Sequence, residues 1–396
     1  FQLLFGFGVS SIVMVAGMCM LVDSLFQTGI AQRIGSKIAS TSIAKNERVF
    51  IIAIVIICTI MSAFLSNSGC IAMWMPIIAS IAAGSNGKIR SKMVIFPAGI
   101  ACIIGGACTL VGSVSQVTAN SILMGYAGYE EGLGVFDMSR VMVPAAILQV
   151  VFWATAGYSL LKWALKPGSP DFDKNNSFAS QPSVTKEGMP DIPRWKGTMS
   201  VVVLVGCIVL FILCGFAPFN EYFNIANIAL LGAAMLFATG CVPVKSTLAE
   251  LPWDVLICIG AITGLGTGLD ASGGGAIIAG FVLNLFGGES ASVIVLTVVI
   301  TILTSVLTLF MQNGSVAAML TPICISMALA LGISPVPWVV VIAIGTNLAI
   351  ASPIGTAVNM QILPAGYTFK DFVKIGGPLF IIMVAAVSVL SCMVLF

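Results

Sequence analysis

Two stretches of this chain, 246 residues apart, carry the same polar turn inside the same apolar surroundings. Asn67, Ala72, Met73, Pro76 and Ile77 return without a gap as Asn313, Ala318, Met319, Pro322 and Ile323. Further matches follow in the same order. Thr109-Leu110-Val111-Gly112-Ser113 faces Ser352-Pro353-Ile354-Gly355-Thr356 at an offset of 243, and Ala127-Gly128-Tyr129 faces Ala365-Gly366-Tyr367. Asp137 and Pro144 keep their spacing in Asp371 and Pro378. Ordered self-similarity of this length marks an internal repeat, so the fold must place one structural unit twice.

The surroundings of those matches are membrane-like. Of 396 residues, 59% are hydrophobic and 8% charged, with a mean hydropathy of +1.10. Soluble domains carry about 25% charge, so a soluble globular enzyme is excluded. Apolar spans fall near 4–22, 49–65, 70–83, 93–111, 141–165, 198–217, 224–243, 254–269, 276–286, 292–311, 315–331, 336–351 and 373–396. At about 20 residues per crossing the chain has room for about ten to twelve. Histidine is absent, which removes His triads, His metal sites and His proton relays. A net charge of +2 offers no basic face to nucleic acid. Eleven cysteines without a CxxC, among them Cys19, Cys58, Cys102, Cys207, Cys258 and Cys392 in apolar runs, read as reduced, buried thiols. The expected fold class is an all-α polytopic membrane protein in the cell membrane, with no enzyme activity, no cofactor and no transition metal.

One segment reads as a soluble linker. Pro167 to Lys196 holds five prolines and mixed charge without apolar periodicity. The expected organisation is a first repeat over 1–165 with its tip at 66–68, a cytoplasmic linker over 166–197, and a second repeat over 198–396 with its tip at 312–314. Charge sets the relative orientation. Lys45, Arg48, Lys88, Arg90 and Lys92 flank the first tip, whereas Gly287-Gly288-Glu289-Ser290 and Gly332-Ile333-Ser334-Pro335 flank the second. Short cationic loops stay cytoplasmic, so the repeats are expected to be inverted about an axis in the membrane plane.

Each tip places Ser, Asn, Gln or Gly where two apolar segments turn back. Such groups are costly against lipid and tolerable around a protein-enclosed cavity. A helix that stops at Leu65 exposes carbonyls suited to a cation; one that starts near Gly69 exposes N–H groups suited to an anion. Taken singly each tip is an ordinary polar turn, and two matched tips read as a paired site. The segments 105–113 and 349–356 interrupt apolar spans with Gly112, Pro353 and Gly355. Alone each is a kinked helix; paired with the tips, each reads as the unwound middle of a discontinuous helix.

These residues resemble the divalent anion/sodium symporters of the ion transporter superfamily, whose two Ser-Asn-Thr tips match Ser66-Asn67-Ser68 and Asn313. The family's unwound Gly-Thr-Pro-Pro-Asn segments are similar to Gly355-Thr356-Ala357-Val358-Asn359. The resemblance implies an inverted-repeat scaffold and transport domain, an elevator motion, a homodimer in the lipid bilayer, and symport of di- or tricarboxylates or sulfate with sodium. It implies one sodium site from Ser62, Ser66, Asn67 and the backbone near Cys108. It implies a second from Thr308, Asn313 and the backbone at Met311 and Ala351. The substrate would meet Ser66, Asn67, Ser68 and Thr109 on one side and Gln312, Asn313, Gly314, Ser352 and Pro353 on the other. No Lys or Arg stands at either tip, so amides, hydroxyls, half-helix dipoles and bound cations would hold the anion. Gln312-Asn313-Gly314 departs from the second Ser-Asn-Thr, and Gly112-Ser113-Val114-Ser115-Gln116 from the first Gly-Thr-Pro-Pro-Asn. The alternative within transport is a related efflux carrier or cation/proton antiporter.

Asp23 and Asp270 adjoin apolar runs and read as helix-end residues or as proton carriers. Arg33 and Lys37 suggest an amphipathic helix at the cytoplasmic surface. Trp153, Trp163 and Trp195 are expected as interface anchors. The repeat offset places the counterparts of spans 198–217 and 224–243 before Phe1, so about two N-terminal spans, roughly 45–60 residues, are expected to precede this sequence.

Overall fold

The computed structural model describes residues 10–29, 46–85, 87–169, 193–213, 225–249 and 292–396, with isolated positions between 172 and 280. Arg33, Lys37, Asp270 and most of the expected linker lie outside the described residues. Among the described residues all regular structure is helical.

A first helix, α1 (Ser10–Gln27), precedes a run of five: α2 (Glu47–Ser62), α3 (Asn67–Gly84), α4 (Ser91–Gly106), α5 (Val114–Leu123) and α6 (Ser139–Leu165). Then come α7 (Arg194–Leu213), α8 (Ile225–Ala238) and the short α9 (Val244–Ala249). α7 thus starts inside the segment expected as linker. A second run of five closes the chain: α10 (Val293–Leu307), α11 (Asn313–Ala330), α12 (Val336–Gly345), α13 (Ala357–Ile362) and α14 (Phe369–Val394). The two runs correspond helix for helix.

Local sequence explains the breaks. Asn46 caps α2, its side-chain oxygen accepting from the Arg48 and Val49 amides at 3.1 and 3.4 Å. Ser66 caps α3 by accepting from Gly69 N at 3.2 Å. Pro76 and Pro322 sit at matching places inside α3 and α11, each removing one backbone donor. α2 and α10, with 16 and 15 residues, rise about 22–24 Å. That falls short of a hydrocarbon core of about 30 Å, as a re-entrant hairpin requires. Between α4 and α5, and again between α12 and α13, the chain is unwound over 107–113 and 346–356.

Packing repeats as well. α2 lies on α4 as α10 lies on α12, and α3 and α11 pack on those same partners. The runs then interlock, because α11 packs on α5 of the first run and α3 on α13 of the second. All sixteen residues of α4 are buried, as are Trp338 to Gly345 of α12. These two helices form the middle of the molecule. Outward faces are apolar: Ile147 of α6, Val202 and Val205 of α7 and Ile381 of α14 are exposed. Apolar surface of this extent needs lipid against it. Ser139–Leu165, Asn313–Ala330 and Phe369–Val394 are long and apolar enough to cross a membrane.

One expectation is corrected here. Trp163 and Trp195 are exposed, but Trp153 is fully buried and meets Phe152 edge-on at 5.3 Å. A π-helical turn over Trp153–Gly157 shifts the helical register, and its ring closes on Gly157, where a Cβ would lie 2.5 Å from it. The indole is a core residue because the turn faces it inward. Trp163 takes the anchor position, with the Lys374 ammonium 5.6 Å over its ring.

Candidate functional site

The first tip closes through a five-residue interval. Ser62, the last residue of α2, lies with its hydroxyl 2.7 Å from the Asn67 side chain and 2.7 Å from the Cys102 carbonyl of α4. The Asn67 amide satisfies its surroundings with nitrogen inward, donating to Ser62 Oγ, Cys102 O and Gly112 O at 2.7, 3.0 and 3.1 Å. Ser62 then keeps its own hydrogen for Cys102 O. Gly106 makes this approach possible: a Cβ there would fall on the Asn67 side chain.

The second tip repeats the arrangement with different residues. Thr308 ends α10 with its hydroxyl 2.8 Å from Asn313 Oδ1 and 2.8 Å from the Thr346 carbonyl. One hydroxyl hydrogen serves both acceptors in turn. Gly355 lies against the Thr308 carbonyl so closely that a Cβ would overlap it. Ser62, Asn67 and Cys102 O therefore find their counterparts in Thr308, Asn313 and Thr346 O.

The remaining predicted residues divide into exposed tip groups and buried supports. Ser66, Met311 and Gln312 are exposed, while Ser68, Asn313, Gly314 and Ala351 are half-buried. Thr109 is buried and donates to the Ala63 carbonyl in the turn of the first tip. Ser352 accepts from Ile354 N at 3.2 Å through its hydroxyl and from Asn359 Nδ2 at 2.7 Å through its carbonyl. Pro353 is buried beside it. Both hydroxyls thus shape the unwound segments. The Cys108 carbonyl accepts from Ser139 Oγ at 2.6 Å; the carbonyls that meet Asn67 belong to Cys102 and Gly112.

The first unwound segment joins the two tips. Asn67 lies against Gly106 at its start and the Gly112 carbonyl near its end, and Gly314 of the second tip approaches Val114 of α5, where a Cβ would stand 3.7 Å from Val114 Cγ1. The N-termini of α11 and α5 therefore meet beside the first tip. Neither the Gln312 nor the Ser113 side chain caps its helix, so first-turn N–H groups face the junction with their positive dipole ends. Lys and Arg are absent from both tips.

Sequence reasoning missed a layer of buried amides behind the tips. Asn347 of the second unwound segment donates to Ser115 Oγ of α5 at 3.0 Å. Asn359 donates to Ala349 O at 2.5 Å, bridging the unwound chain. Gln116 of α5 is fully buried with neither amide atom bonded. Its place matching Asn359 was the available signal.

Comparisons with known proteins bear on the family and the fold. The CitMHS citrate transporter family pattern matches residues 1–343 and 278–396. An uncharacterized transporter of Escherichia coli, YfbS, is 29% identical over 169 residues, covering 42% of this chain and 27% of that protein. The probable sodium/sulfate cotransporter 3 of Chlamydomonas reinhardtii is 27% identical over 215 residues, covering 53% of this chain and 24% of that protein. The matched stretch thus spans about a quarter of those relatives' length. In fold, the crystal structure of the Alcanivorax borkumensis YdaH transporter superposes with a TM-score of 0.68 at 15% identity, covering 99% of this chain and 87% of that one.

Proposed function

The chain belongs to the CitMHS citrate transporter family, and from that premise we propose that it is a sodium-coupled secondary transporter of a small, multiply charged oxyanion such as citrate, a dicarboxylate or sulfate. The observation that carries the reading is the junction at residues 106–114. Asn67 and Gly314 of opposite tips both reach it, and two uncapped helix N-termini converge there without a fixed cation. N–H groups at half-helix ends suit carboxylate or sulfate oxygens.

The cation sites lie behind the tips in this reading. With the Asn67 amide turned oxygen-inward, Asn67 Oδ1 stands 2.7, 3.0 and 3.1 Å from Ser62 Oγ, Cys102 O and Gly112 O, a cluster of oxygens that a cation beside it would relieve. At the other tip Thr308 Oγ1 stands 2.8 Å from both Asn313 Oδ1 and Thr346 O. Unwound carbonyls with side-chain oxygens are the ligands a sodium ion takes in broken-helix transporters. A cation at either place draws the tip onto the helix behind it and supplies the positive charge that the anion lacks. Sodium and anion binding therefore favour each other. The tip groups Ser66, Ser68, Gln312 and Gly314, with the buried Ser352-Pro353 turn, then line the anion, and the two-run architecture exchanges this site between the sides of the membrane.

Uptake into proteoliposomes tests the proposal. Labelled citrate, succinate and sulfate are offered with an inward sodium gradient and with potassium in its place. Sodium-dependent accumulation of one anion is the expected result. Uptake of none, or equal uptake in potassium, sinks the symport reading.

A further inference from the structure

Three thiols that transport does not use meet in one place. Cys58 of α2, Cys70 of α3 and Cys102 of α4 are fully buried free thiols, and their sulfurs all lie within 4.8 Å of one another. Cys70 follows Asn67 by three residues, and the Cys102 carbonyl is the one that faces Ser62 and Asn67. The cluster therefore ties together the three helices that carry the first tip.

Packing alone does not call for sulfur there. The hydrogen bonds that relate Ser62, Asn67 and Cys102 to Thr308, Asn313 and Thr346 place Thr304, Val316 and Thr346 at the corresponding positions. Those three are also fully buried. The same scaffold thus closes equally well on two hydroxyls and a methyl pair in its second copy, and on three thiols in its first.

We propose that Cys58, Cys70 and Cys102 form a tris-thiol site for a trivalent metalloid hydroxide, with arsenous acid as the type ligand. Sulfur selects soft, thiophilic centres over hard cations. Arsenic(III) keeps a lone pair and holds three thiolates as a pyramid; with bonds of about 2.3 Å, as thiolate takes to zinc, and angles of about 100°, its sulfurs stand about 3.5 Å apart. The three thiols lie within 4.8 Å of one another, so each pair closes by about 1.3 Å at most. Charge then selects among soft centres. Three thiolates leave a cuprous ion at −2 and zinc at −1, and a net charge without exposure inside a membrane protein is costly. Arsenous acid avoids it: three S–H and three As–O bonds break, three As–S and three O–H bonds form, and three waters leave. Arsenic stays trivalent and the adduct is neutral. Arsenous acid is itself uncharged at neutral pH and enters through local opening of the first tip. Once bound it staples α2, α3 and α4 together and holds Asn67 against α4.

The experiment uses the full chain in detergent, reduced and then freed of reductant, with sodium arsenite as the probe. The expected result is one arsenic per chain, an arsenic X-ray absorption spectrum with three sulfur neighbours and no oxygen, and alkylation protection mapped by mass spectrometry to Cys58, Cys70 and Cys102. Cys58→Thr, Cys70→Val and Cys102→Thr transplant the second copy's residues; each should weaken binding at least about tenfold by removing one arm of a chelate. Cys324→Ser, in the second run, should leave it unchanged. No bound arsenic, fewer than three sulfur neighbours, or protection at other cysteines overturns the proposal. Those three readouts use the unmodified chain and decide the matter even where a variant fails to fold.

Discussion

The Tyr367 hydroxyl accepts the backbone hydrogen of Phe96 across 2.9 Å. The same oxygen donates to the Lys92 carbonyl, the group that an uninterrupted helix would pair with the Phe96 amide. A tyrosine from the second run is thereby spliced into a rung of α4, the buried central helix of the first. Its ring is held edge-on by Phe96 at 5.3 Å and by Phe372 at 6.3 Å. Tyr367→Phe keeps the rings and removes the splice. We expect a loss of about 1–3 kcal/mol, the cost of orphaning buried polar groups, read as a lower unfolding temperature in detergent. An unchanged melting temperature would show that the rung closes on itself.

The tip asparagines should be indispensable. Asn67→Ala takes the amide donor from the Gly112 carbonyl and the Ser62 hydroxyl, and Asn313→Ala removes one acceptor of the Thr308 hydroxyl, a loss of about 1–3 kcal/mol per site. Sodium-driven uptake should fall by about 10- to 100-fold. Thr308→Ala should raise the sodium concentration for half-maximal uptake about tenfold while sparing expression. Full activity in both asparagine variants would discard the tip assignment.

Glycine at the tips is required by space. Gly106→Ala drives a methyl into Asn67, and Gly355→Ala drives one into the Thr308 carbonyl. Both should abolish uptake, as overpacking of this kind costs about 1–3 kcal/mol or more. Gly206 of α7 has open space around it, so Gly206→Ala should keep activity and gain up to about 1 kcal/mol of helix stability. Equal transport by all three variants would contradict the close approach.

A half-buried ion pair joins the starts of α2 and α4. Arg90 meets Glu47 through both carboxylate oxygens, at 2.9 and 2.6 Å, and Tyr158 of α6 adds a hydrogen bond at 3.1 Å. Glu47 is 5% exposed and Arg90 32%. Glu47→Ala should destabilise by about 1–3 kcal/mol, because it removes the charge-assisted hydrogen bonds from Arg90 and the bond from Tyr158. Thermal unfolding of detergent-solubilised protein measures it, and a shift below that of Tyr158→Phe would show the pair to be solvent-screened.

Much of the candidate site was legible because its side chains are consecutive. Ser62 and Asn67, or Thr308 and Asn313, stand five residues apart across one turn, and the second copy supplied a control for the first. What the sequence could not display was the partner of each: Cys102 O, Gly112 O and Thr346 O are backbone atoms, and every residue has a carbonyl. The backbone near Cys108 was the expected contributor, and the Cys108 carbonyl itself accepts from Ser139 Oγ at 2.6 Å. Trp153 shows the same limit, since a π-helical turn decides which way an indole faces.

Composition and self-similarity by themselves determined that this chain is a membrane-embedded bundle built twice, with two polar tips and two interrupted helices. Hydrophobic runs and repeat order are linear properties, and water's exclusion from apolar chain acts on them directly. Only the tertiary structure decided that α11 crosses to α5 and α3 to α13, and that Tyr367 completes a rung of α4. It also decided that Cys58, Cys70 and Cys102 converge from positions 12 and 32 residues apart. Those relations depend on how helices rotate and approach in three dimensions, where small residues such as Gly106 and Gly355 set the distance.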